Sequence, residues 1–398
     1  MTLRLFFTCL LLLGLGACAA PDRTDLPARF HPAEFSDLDG WDTKSHIGAL
    51  PAFIRSCEGD FLKKDPQRKV GPSFKTRLPA GQNVEHWIPA CEAAISLYGP
   101  DTSQISSQQA RLFFETWFRP WRVRAGRHGQ GLFTGYYEPL LSGSRTREDS
   151  TQIPLLNRPD DLVMVHLGRF REDLSGRRIA GRVVDGTLYP YESRAEIEQG
   201  QLTSRNFDPI VWVDDPIDAF FLHIQGSGQV VLRDGEIMRV GYAGQNGHPY
   251  YAIGRELIRR GALTREAVSL QSIESWLRAN PHEMTDVLHL NASYVFFREL
   301  PENGPLGAQN VVLTPGRSLA VDHTKLPYGA PVWLEAEPPV NPHPPLARLM
   351  IAQDTGGAIR GAVRGDVFWG AGEKARHLAG KMASQGAYWI LLPRNDTL

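Results

Sequence analysis

The feature that most restricts the fold of this chain is the frequent interruption of its middle part by turn-forming residues. From about residue 139 to 241, short apolar stretches are separated by Gly, Asp and Pro; examples are residues 210–213, 220–224 and 229–232. Strands of a few residues bounded by turn-forming residues are typical of β-sheet proteins. The pattern therefore predicts an all-β unit over residues 139–241.

Helical patterning precedes this unit. In residues 106–118, apolar side chains recur at helical spacing, and Leu112 is among those expected on the buried face. Ser106 and Gln109 have the spacing of a capping box, which would begin this helix. After residue 311, short apolar stretches again predict strands. Since 398 residues suit about two domains, the expected fold is mainly β with added helices.

The N-terminus predicts export. After one early charge, Arg4, residues 5–15 form an apolar run that is too short to span a bilayer and has the form of a signal peptide. The run ends in Leu-Gly-Ala-Cys at Cys18, which resembles the lipobox of bacterial lipoproteins, where the cysteine carries lipid. The alternative is an ordinary secretory signal. The resemblance implies a signal peptide at 1–18 and, because Ala19 rather than Asp follows the cysteine, the outer membrane. Residues 19–45 are rich in Pro and Asp, which predicts a tether.

Cysteine usage and charge narrow the possible functions. Beyond Cys18, the chain retains Cys57 and Cys91, which in an oxidising compartment either pair or stay as two buried thiols. The formal net charge of −1 gives no overall field that would attract nucleic acid. The 12 histidines are scattered, and neither CxxC nor His-Glu-x-x-His occurs, so no metal and no other cofactor is expected.

The segment with the most chemical information surrounds two aspartates. An apolar strand runs into Asp354, a threonine and a glycine pair, and Asp366 follows 12 residues later (366 − 354) after Gly365. Glycines let the backbone approach a ligand closely. Two neighbouring carboxylates raise each other's pKa, and a carboxyl group that keeps its proton can protonate a leaving oxygen. The simpler alternative is that both aspartates only form turns beside the glycines.

Several segments in this order resemble the membrane-bound lytic transglycosylase A family and its C-terminal three-aspartate domain. The matching segments are residues 133–139, 223–228, 240–247, 291–297, 313–322, 326–329 and 352–370. The resemblance covers about residues 45–394. It implies a double-psi β-barrel catalytic domain built from residues 46–138 and 242–398, in which the three-aspartate domain takes about 305–394. The inserted β domain would be 139–241, and the glycan would lie in a cleft between the two domains.

The resemblance also implies a reaction. The family cleaves the β-1,4 bond between N-acetylmuramic acid and N-acetylglucosamine without water and forms 1,6-anhydromuramic acid. Asp366 matches the catalytic aspartate, and Asp354 matches a second aspartate that tunes and positions it. The residues expected to hold the substrate are Thr134, Gly135, Tyr136, Gln225, Gly226, Ser227, Gly228, Asp322 and Trp369. The implied partners are peptidoglycan glycan strands, the outer membrane through the lipid anchor, and proteins of cell-wall synthesis or division.

Two other functions are compatible with these residues. Asp354-Thr355-Gly356 after an apolar strand is the signature of aspartic proteases, which need two facing aspartates. The chain has one such triplet, so a protease would have to form a dimer about this loop. The second alternative is a lipoprotein that binds the cell wall through the same cleft without catalysis.

Overall fold

The structure is a computed structural model that describes residues 26–63, 65–70, 77–98, 105–174, 177–202, 209–300, 304–340 and 344–394. The signal peptide and lipid-bearing Cys18 expected from the sequence lie outside the described residues. Within these ranges, no helix has the length and hydropathy needed to cross a membrane.

The described segments form helices and strands in the following order. The α-helices are α1 (Ala49–Gly59), α2 (Ile88–Tyr98), α3 (Ser107–Trp117), α4 (Arg194–Glu198), α5 (Pro216–Gln225), α6 (Ile253–Arg259), α7 (Leu270–Ala279), α8 (Pro281–His289) and α9 (Glu373–Lys381). The β-strands are β1 (Ala28–Pro32), β2 (Phe118–Ala125), β3 (Gly131–Glu138), β4 (Leu140–Ser144), β5 (Ile153–Leu156), β6 (Val163–His166), β7 (Arg178–Val184), β8 (Thr187–Pro190), β9 (Pro209–Val213), β10 (Ser227–Val231), β11 (Ile237–Gln245), β12 (Val295–Leu300), β13 (Ser318–Val321), β14 (Pro331–Ala336), β15 (Leu346–Asp354), β16 (Arg364–Ala371) and β17 (Ala383–Pro393).

The largest sheet closes into a barrel. Its strand order is β1-β2-β17-β14-β15-β13-β16-β3, and β3 pairs in addition with β17. The additional pairing closes a ring of strands, β17-β14-β15-β13-β16-β3. β13 runs parallel to β15 and β16 runs parallel to β3, whereas the other pairs of the ring are antiparallel. The closed barrel is consistent with the expected double-psi type.

Helices α1 and α2 pack outside the barrel and are tied to it. The Gln353 side chain at the end of β15 donates to the Ala52 carbonyl of α1 at 2.8 Å and to the Ser56 hydroxyl at 2.9 Å. Cys57 of α1 and Cys91 of α2 form a disulfide, and both are fully buried. Of the two alternatives left open by the sequence, the structure therefore shows the paired one.

The second sheet contains the inserted region and extends beyond it. Its order is β12-β11-β10-β4-β9-β5, and β6, β7 and β8 form a separate small sheet. The boundary expected at residue 241 falls inside β11, and β12 adds a strand at Val295–Leu300. The second sheet therefore takes in more of the chain than the expected 139–241, because β12 pairs along β11.

The strand predicted at residues 220–224 is wrong, because these residues belong to α5. Asp215 accepts hydrogen bonds from the backbone N–H groups of Ile217 and Asp218 and so caps the helix, with Pro216 in its first turn. Gly226 ends the helix in a left-handed conformation, with φ of 81°. The inserted unit is therefore not all-β.

The folded part of the chain begins earlier than expected. Within the predicted tether 19–45, β1 pairs with β2, and Trp41 is 1% exposed, with its ring 5.1 Å from that of Trp333. The prediction of a tether is therefore wrong for these residues, since a buried tryptophan and a paired strand stabilise them against the barrel. The capping box of α3 is confirmed by the bond from the Gln109 N–H to the Ser106 hydroxyl. Leu112 is 59% exposed, however, and the buried face of α3 is formed by its neighbours.

Candidate active site

The barrel register places the two chemically informative aspartates at one level. Ala320 on β13 is the register partner of Asp354 on β15 on one side and of Asp366 on β16 on the other. Asp366 in turn lies opposite Thr134 on β3. Since neighbouring strands are about 4.8 Å apart, the two aspartates are separated by one strand, roughly 10 Å between backbones.

Asp366 is half-buried and held by the Thr134 hydroxyl, which Arg364 supports in turn. The Thr134 hydroxyl donates to Asp366 Oδ1 at 2.7 Å, and Arg364 Nη2 donates to the same Thr134 hydroxyl oxygen at 2.8 Å. Arg364 and Asp366 are two residues apart on β16 and so lie on the same face of the strand. Burial raises the pKa of Asp366, while the Arg364 charge and the Thr134 hydrogen bond oppose that rise. The carboxyl group therefore keeps its proton to a higher pH than an exposed aspartate does.

Asp354 is held by three donors. Its Oδ2 accepts the Tyr136 hydroxyl at 2.7 Å, and its Oδ1 accepts the backbone N–H of Ala308 at 2.9 Å and of Thr355 at 2.8 Å. Burial raises the pKa of Asp354 to about 6 against these three bonds, and the charge of Asp366 adds to the rise. The interaction of the two carboxyl groups places them in one electrostatic site.

Asp322 has a different environment from the other two aspartates. It is 2% exposed, its Oδ2 accepts the Gly361 N–H at 2.8 Å, and its Oδ1 accepts the hydroxyl and the N–H of Thr324. These bonds fix the loop between Asp354 and Asp366. The structure therefore places Asp322 beneath the site, where it positions the loop and is not open to a glycan.

Tyr136 and Trp369 lie on different sides of the barrel wall. Tyr136 is 9% exposed and packs its ring 5.2 Å from that of Phe368, so its hydroxyl, rather than an open ring face, serves the site. Trp369 is three residues from Asp366 on β16 and points to the opposite face of the strand. A Cβ on Gly135 would lie 2.6 Å from Trp369 Nε1 and 2.8 Å from the Cα of Ala379 in α9. Gly135 and Trp369 thus pack α9 on the barrel, away from Asp366.

The segment 225–228 reaches the site from the second sheet. Gln225 Oε1 accepts the backbone N–H of Tyr137 at 3.1 Å, next to Tyr136 on β3. Gly226 has open space on the side where a Cβ would stand, and Ser227 is partly exposed. A Cβ on Gly228 would lie 2.5 Å from Leu222 Cδ1, so this glycine serves packing. The structure therefore joins Gln225 to β3 next to Tyr136 and leaves Gly226 and Ser227 partly exposed.

Two residues near the site, Arg364 and Tyr328, are not predicted from the sequence. Arg364 has an available signal, because it precedes Asp366 by two residues in a strand. Tyr328 lies near the Thr355 side chain, which donates a hydrogen bond to the Val321 carbonyl, and burial together with the charge of Asp354 raises the pKa of Tyr328. Among the described residues, no cluster of three or more His, Cys, Asp or Glu side chains has a geometry that could hold a metal ion.

Comparisons with known proteins match this architecture. Residues 132–298 match the MltA specific insert domain, and residues 317–392 match the 3D domain. The membrane-bound lytic murein transglycosylase A of Escherichia coli K12 is 32% identical over 281 residues, which are 68% of each chain. The crystal structure of a membrane-bound lytic murein transglycosylase from Agrobacterium tumefaciens is 34% identical, with a TM-score of 0.78 over 92% of this chain and 98% of that chain. E. coli MltA with bound chitohexaose is 27% identical, with a TM-score of 0.62 over 93% of both chains.

Proposed function

This chain belongs to the membrane-bound lytic murein transglycosylase A family and is a peptidoglycan lytic transglycosylase, and we propose that Asp366 is its acid and base. The observation that carries the assignment of Asp366 is its contact geometry. It is the aspartate whose carboxyl group accepts the Thr134 hydroxyl, which in turn accepts Arg364, at the level of Asp354, in a half-buried position with a raised pKa. Asp322, by contrast, is buried and occupied by backbone donors.

The reaction needs a single carboxyl group in two protonation states. Protonated Asp366 donates its proton to the glycosidic oxygen between N-acetylmuramic acid and N-acetylglucosamine, and the C1–O bond breaks. The resulting carboxylate then takes the proton of the C6 hydroxyl of the muramic acid, whose oxygen attacks C1 and closes the 1,6-anhydro ring. Ordinary glycosidases use a second carboxylate as nucleophile or to activate water. Here the nucleophile is intramolecular, so its effective concentration is high without bound water.

The surrounding residues adjust Asp366 for both steps. Burial favours the protonated acid, whereas Arg364 and the Thr134 hydroxyl stabilise the carboxylate that forms after the proton has left. These influences support the acid before the proton is transferred and the carboxylate after it, as general acid–base catalysis requires. Thr134 and Arg364 act through Asp366 and are positioning residues.

Asp354 serves the same reaction without transferring the proton. Asp354 lies one strand from Asp366. When Asp354 is ionised, its carboxylate stabilises the positive charge that develops at C1 as the bond breaks. The Tyr136 hydroxyl, at 2.7 Å, fixes its direction. Gln225, Gly226 and Ser227 would contact the sugar acetamido groups at the edge of the site.

The decisive experiment compares the soluble chain from Ala19 onward with its Asp366→Asn variant on purified peptidoglycan, with products identified by mass spectrometry. We expect 1,6-anhydromuramic ends from the unaltered chain and none from the variant. Reducing ends would mean that water is the nucleophile, and glycan binding without products from either chain would support the alternative of a non-catalytic wall-binding lipoprotein. Cleavage of a peptide, blocked by a peptide transition-state analogue, would support the aspartic-protease alternative.

The proposed location is the periplasmic face of the outer membrane, through lipid on Cys18. The names of the curated relatives describe them as membrane-bound. The supporting features are the apolar run at 5–15 and the Leu-Gly-Ala-Cys sequence that ends at Cys18. Cys18→Ser should abolish incorporation of labelled fatty acid and release the chain from the membrane fraction; unchanged labelling would contradict the proposal. Association with proteins of cell-wall synthesis or division stays a prediction.

A further inference from the structure

Three exposed arginines from different parts of the fold lie around Tyr242, His323 and Tyr328, and the charge of Asp354 also acts on Tyr328. Arg178 begins β7 of the small three-stranded sheet, Arg158 follows β5 of the second sheet, and Arg360 lies in the barrel loop between Asp354 and Asp366. All three side chains belong to exposed residues. Segments that are distant in sequence and belong to three sheets thus contribute cations to one region.

Contacts define the half of this cluster that lies on the second sheet. Burial raises the pKa of Tyr242, which is 41% exposed on β11, and the nearby charges of Arg178 and Arg158 oppose that rise. The Arg158 side chain passes Gly244 of the same strand, where a Cβ would lie 3.1 Å from Arg158 Cδ. Arg158 Nη2 donates to the Leu162 carbonyl at 2.9 Å, which holds the side chain in place. Arg158 and Arg178 therefore flank Tyr242.

The barrel provides the facing half. His323 and Tyr328 follow β13 and have their rings stacked with centroids 6.0 Å apart. The charges of Arg178 and Arg360 both lower the pKa of His323, after burial, and both oppose the rise in the pKa of Tyr328. Arg178 therefore lies close to both rings, although it belongs to another sheet. His323 Nδ1 is buried without a hydrogen-bond partner among the described residues.

The cations of this cluster lack anionic partners in the described part of the chain. No carboxylate there forms an ion pair with Arg158, Arg178 or Arg360. The nearby carboxylates, Asp322 and Asp354, are held by hydrogen bonds inside the barrel. Three like charges that converge without neutralisation repel one another, so the arrangement gains free energy when an anion binds.

We propose that Arg158, Arg178 and Arg360, with Tyr242, form a subsite for the carboxylates of the stem peptide that peptidoglycan carries on its muramic acid lactyl group. The inference rests on the proposed function, because the subsite borders Tyr328, on which the charge of Asp354 acts, and is useful only if a muramic acid occupies the site. Guanidinium groups bind carboxylates through paired, charge-assisted hydrogen bonds. The subsite would therefore recognise the peptide, while Asp366 acts on the glycan.

The test compares two substrates with the Arg178→Gln variant. Peptide-bearing glycan strands and the same strands after removal of the peptides by an amidase are digested by the chain from Ala19 onward, and KM and kcat are measured from anhydromuramic products. We expect Arg178→Gln to raise KM for peptide-bearing strands about tenfold, equal to the loss of one charge-assisted contact. KM for peptide-free strands should change less than about twofold.

Controls separate this inference from a folding defect and from the proposed function. Arg178→Lys retains the charge and should recover most of the affinity, and Arg29→Gln, an exposed arginine of β1, should leave both KM values unchanged. Added salt should weaken the binding of peptide-bearing strands more than that of peptide-free strands, because salt screens exposed charges. A KM for peptide-bearing strands that Arg178→Gln leaves unchanged, or raises no more than the KM for peptide-free strands, would overturn the subsite while leaving the transglycosylase intact. Failure of the unaltered chain to form anhydro products from either substrate would instead overturn the proposed mechanism.

Discussion

Thr134 and Asp366 are 232 residues apart in the chain and lie opposite each other in β3 and β16, with the threonine hydroxyl donating to Asp366 Oδ1 at 2.7 Å. The same hydroxyl oxygen accepts a hydrogen bond from Arg364, so the cation and the carboxyl group are linked through one oxygen atom. This arrangement orients the Asp366 proton and connects its affinity for that proton to a nearby charge.

Thr134→Val should lower kcat about 10- to 100-fold with little change in fold, because a hydrogen bond to a charged group contributes about 1.5–3 kcal/mol. Thr134→Ser keeps the hydroxyl and should retain most of the activity. The measurement is the rate of anhydromuramic product formation, with the melting temperature of each variant as the check on folding. Equal rates for the valine and serine variants would show that the hydroxyl has no part in positioning Asp366.

Arg364→Gln should change the pH profile. The positive charge of Arg364 favours the ionised form of Asp366, so its removal should raise the pKa of that carboxyl group further. Because cleavage begins from protonated Asp366, activity falls as pH rises through this pKa. The alkaline limb of kcat/KM should therefore move to higher pH by about 1 unit. Arg127→Gln, in the exposed turn after β2, is the matched control, and an alkaline limb that stays in place or moves to lower pH with Arg364→Gln would contradict the assignment.

Local signals in the sequence predicted part of the fold. The capping box at Ser106 and Gln109 gave the start of α3 correctly, because a cap depends on residues three apart. The apolar run at 220–224 was misread as a strand, because a short apolar run is compatible with a strand or a buried helix. The hydrogen bonds that Asp215 accepts as the helix cap favour the helix, and Asp215 lies outside the apolar run.

The site was predictable only as far as neighbouring residues carry its signal. Asp354 and Asp366 stand out from their glycine-rich surroundings, and their family pattern is continuous in sequence. The pairing of Thr134 with Asp366 depends on the register of β3 against β16, which no local pattern encodes. The direction in which the Trp369 side chain points likewise depends on the bounds of β16. Its position on the face opposite Asp366 could therefore not be predicted from the sequence.

Gly135→Ala should destabilise the chain without touching the carboxyl groups. The new Cβ would lie 2.6 Å from Trp369 Nε1 and 2.8 Å from the Ala379 backbone, so α9 must move away from β3. Overpacking of this kind costs about 1–3 kcal/mol, which thermal unfolding would report as a lower melting temperature. Gly357→Ala is the control, because no atom lies within 4 Å of a Cβ at that position. Equal melting temperatures for the two variants would refute the close packing of α9.

Asp354→Asn should change how stability depends on pH. In the folded chain burial raises the pKa of Asp354 from 3.8 to about 6, so the folded state holds this proton more tightly than the unfolded state. Below about pH 4 the group is protonated in both states and does not change the free energy of unfolding. Between about pH 4 and 6 the unfolded chain loses the proton first, so the unaltered chain becomes less stable, by at most about 3 kcal/mol at 1.4 kcal/mol per pKa unit.

The asparagine variant cannot ionise, so it should lack this loss. Its free energy of unfolding relative to the unaltered chain should therefore rise from pH 4 to pH 7, with the full rise reached above about pH 6. Urea unfolding at several pH values measures the difference, and Asp160→Asn, an exposed carboxyl group, controls for the general effect of charge. A difference that is constant over this range would mean that Asp354 is no harder to ionise in the folded chain. A difference that falls with pH would mean that the carboxylate is stabilised by its three donors more than it is penalised by burial.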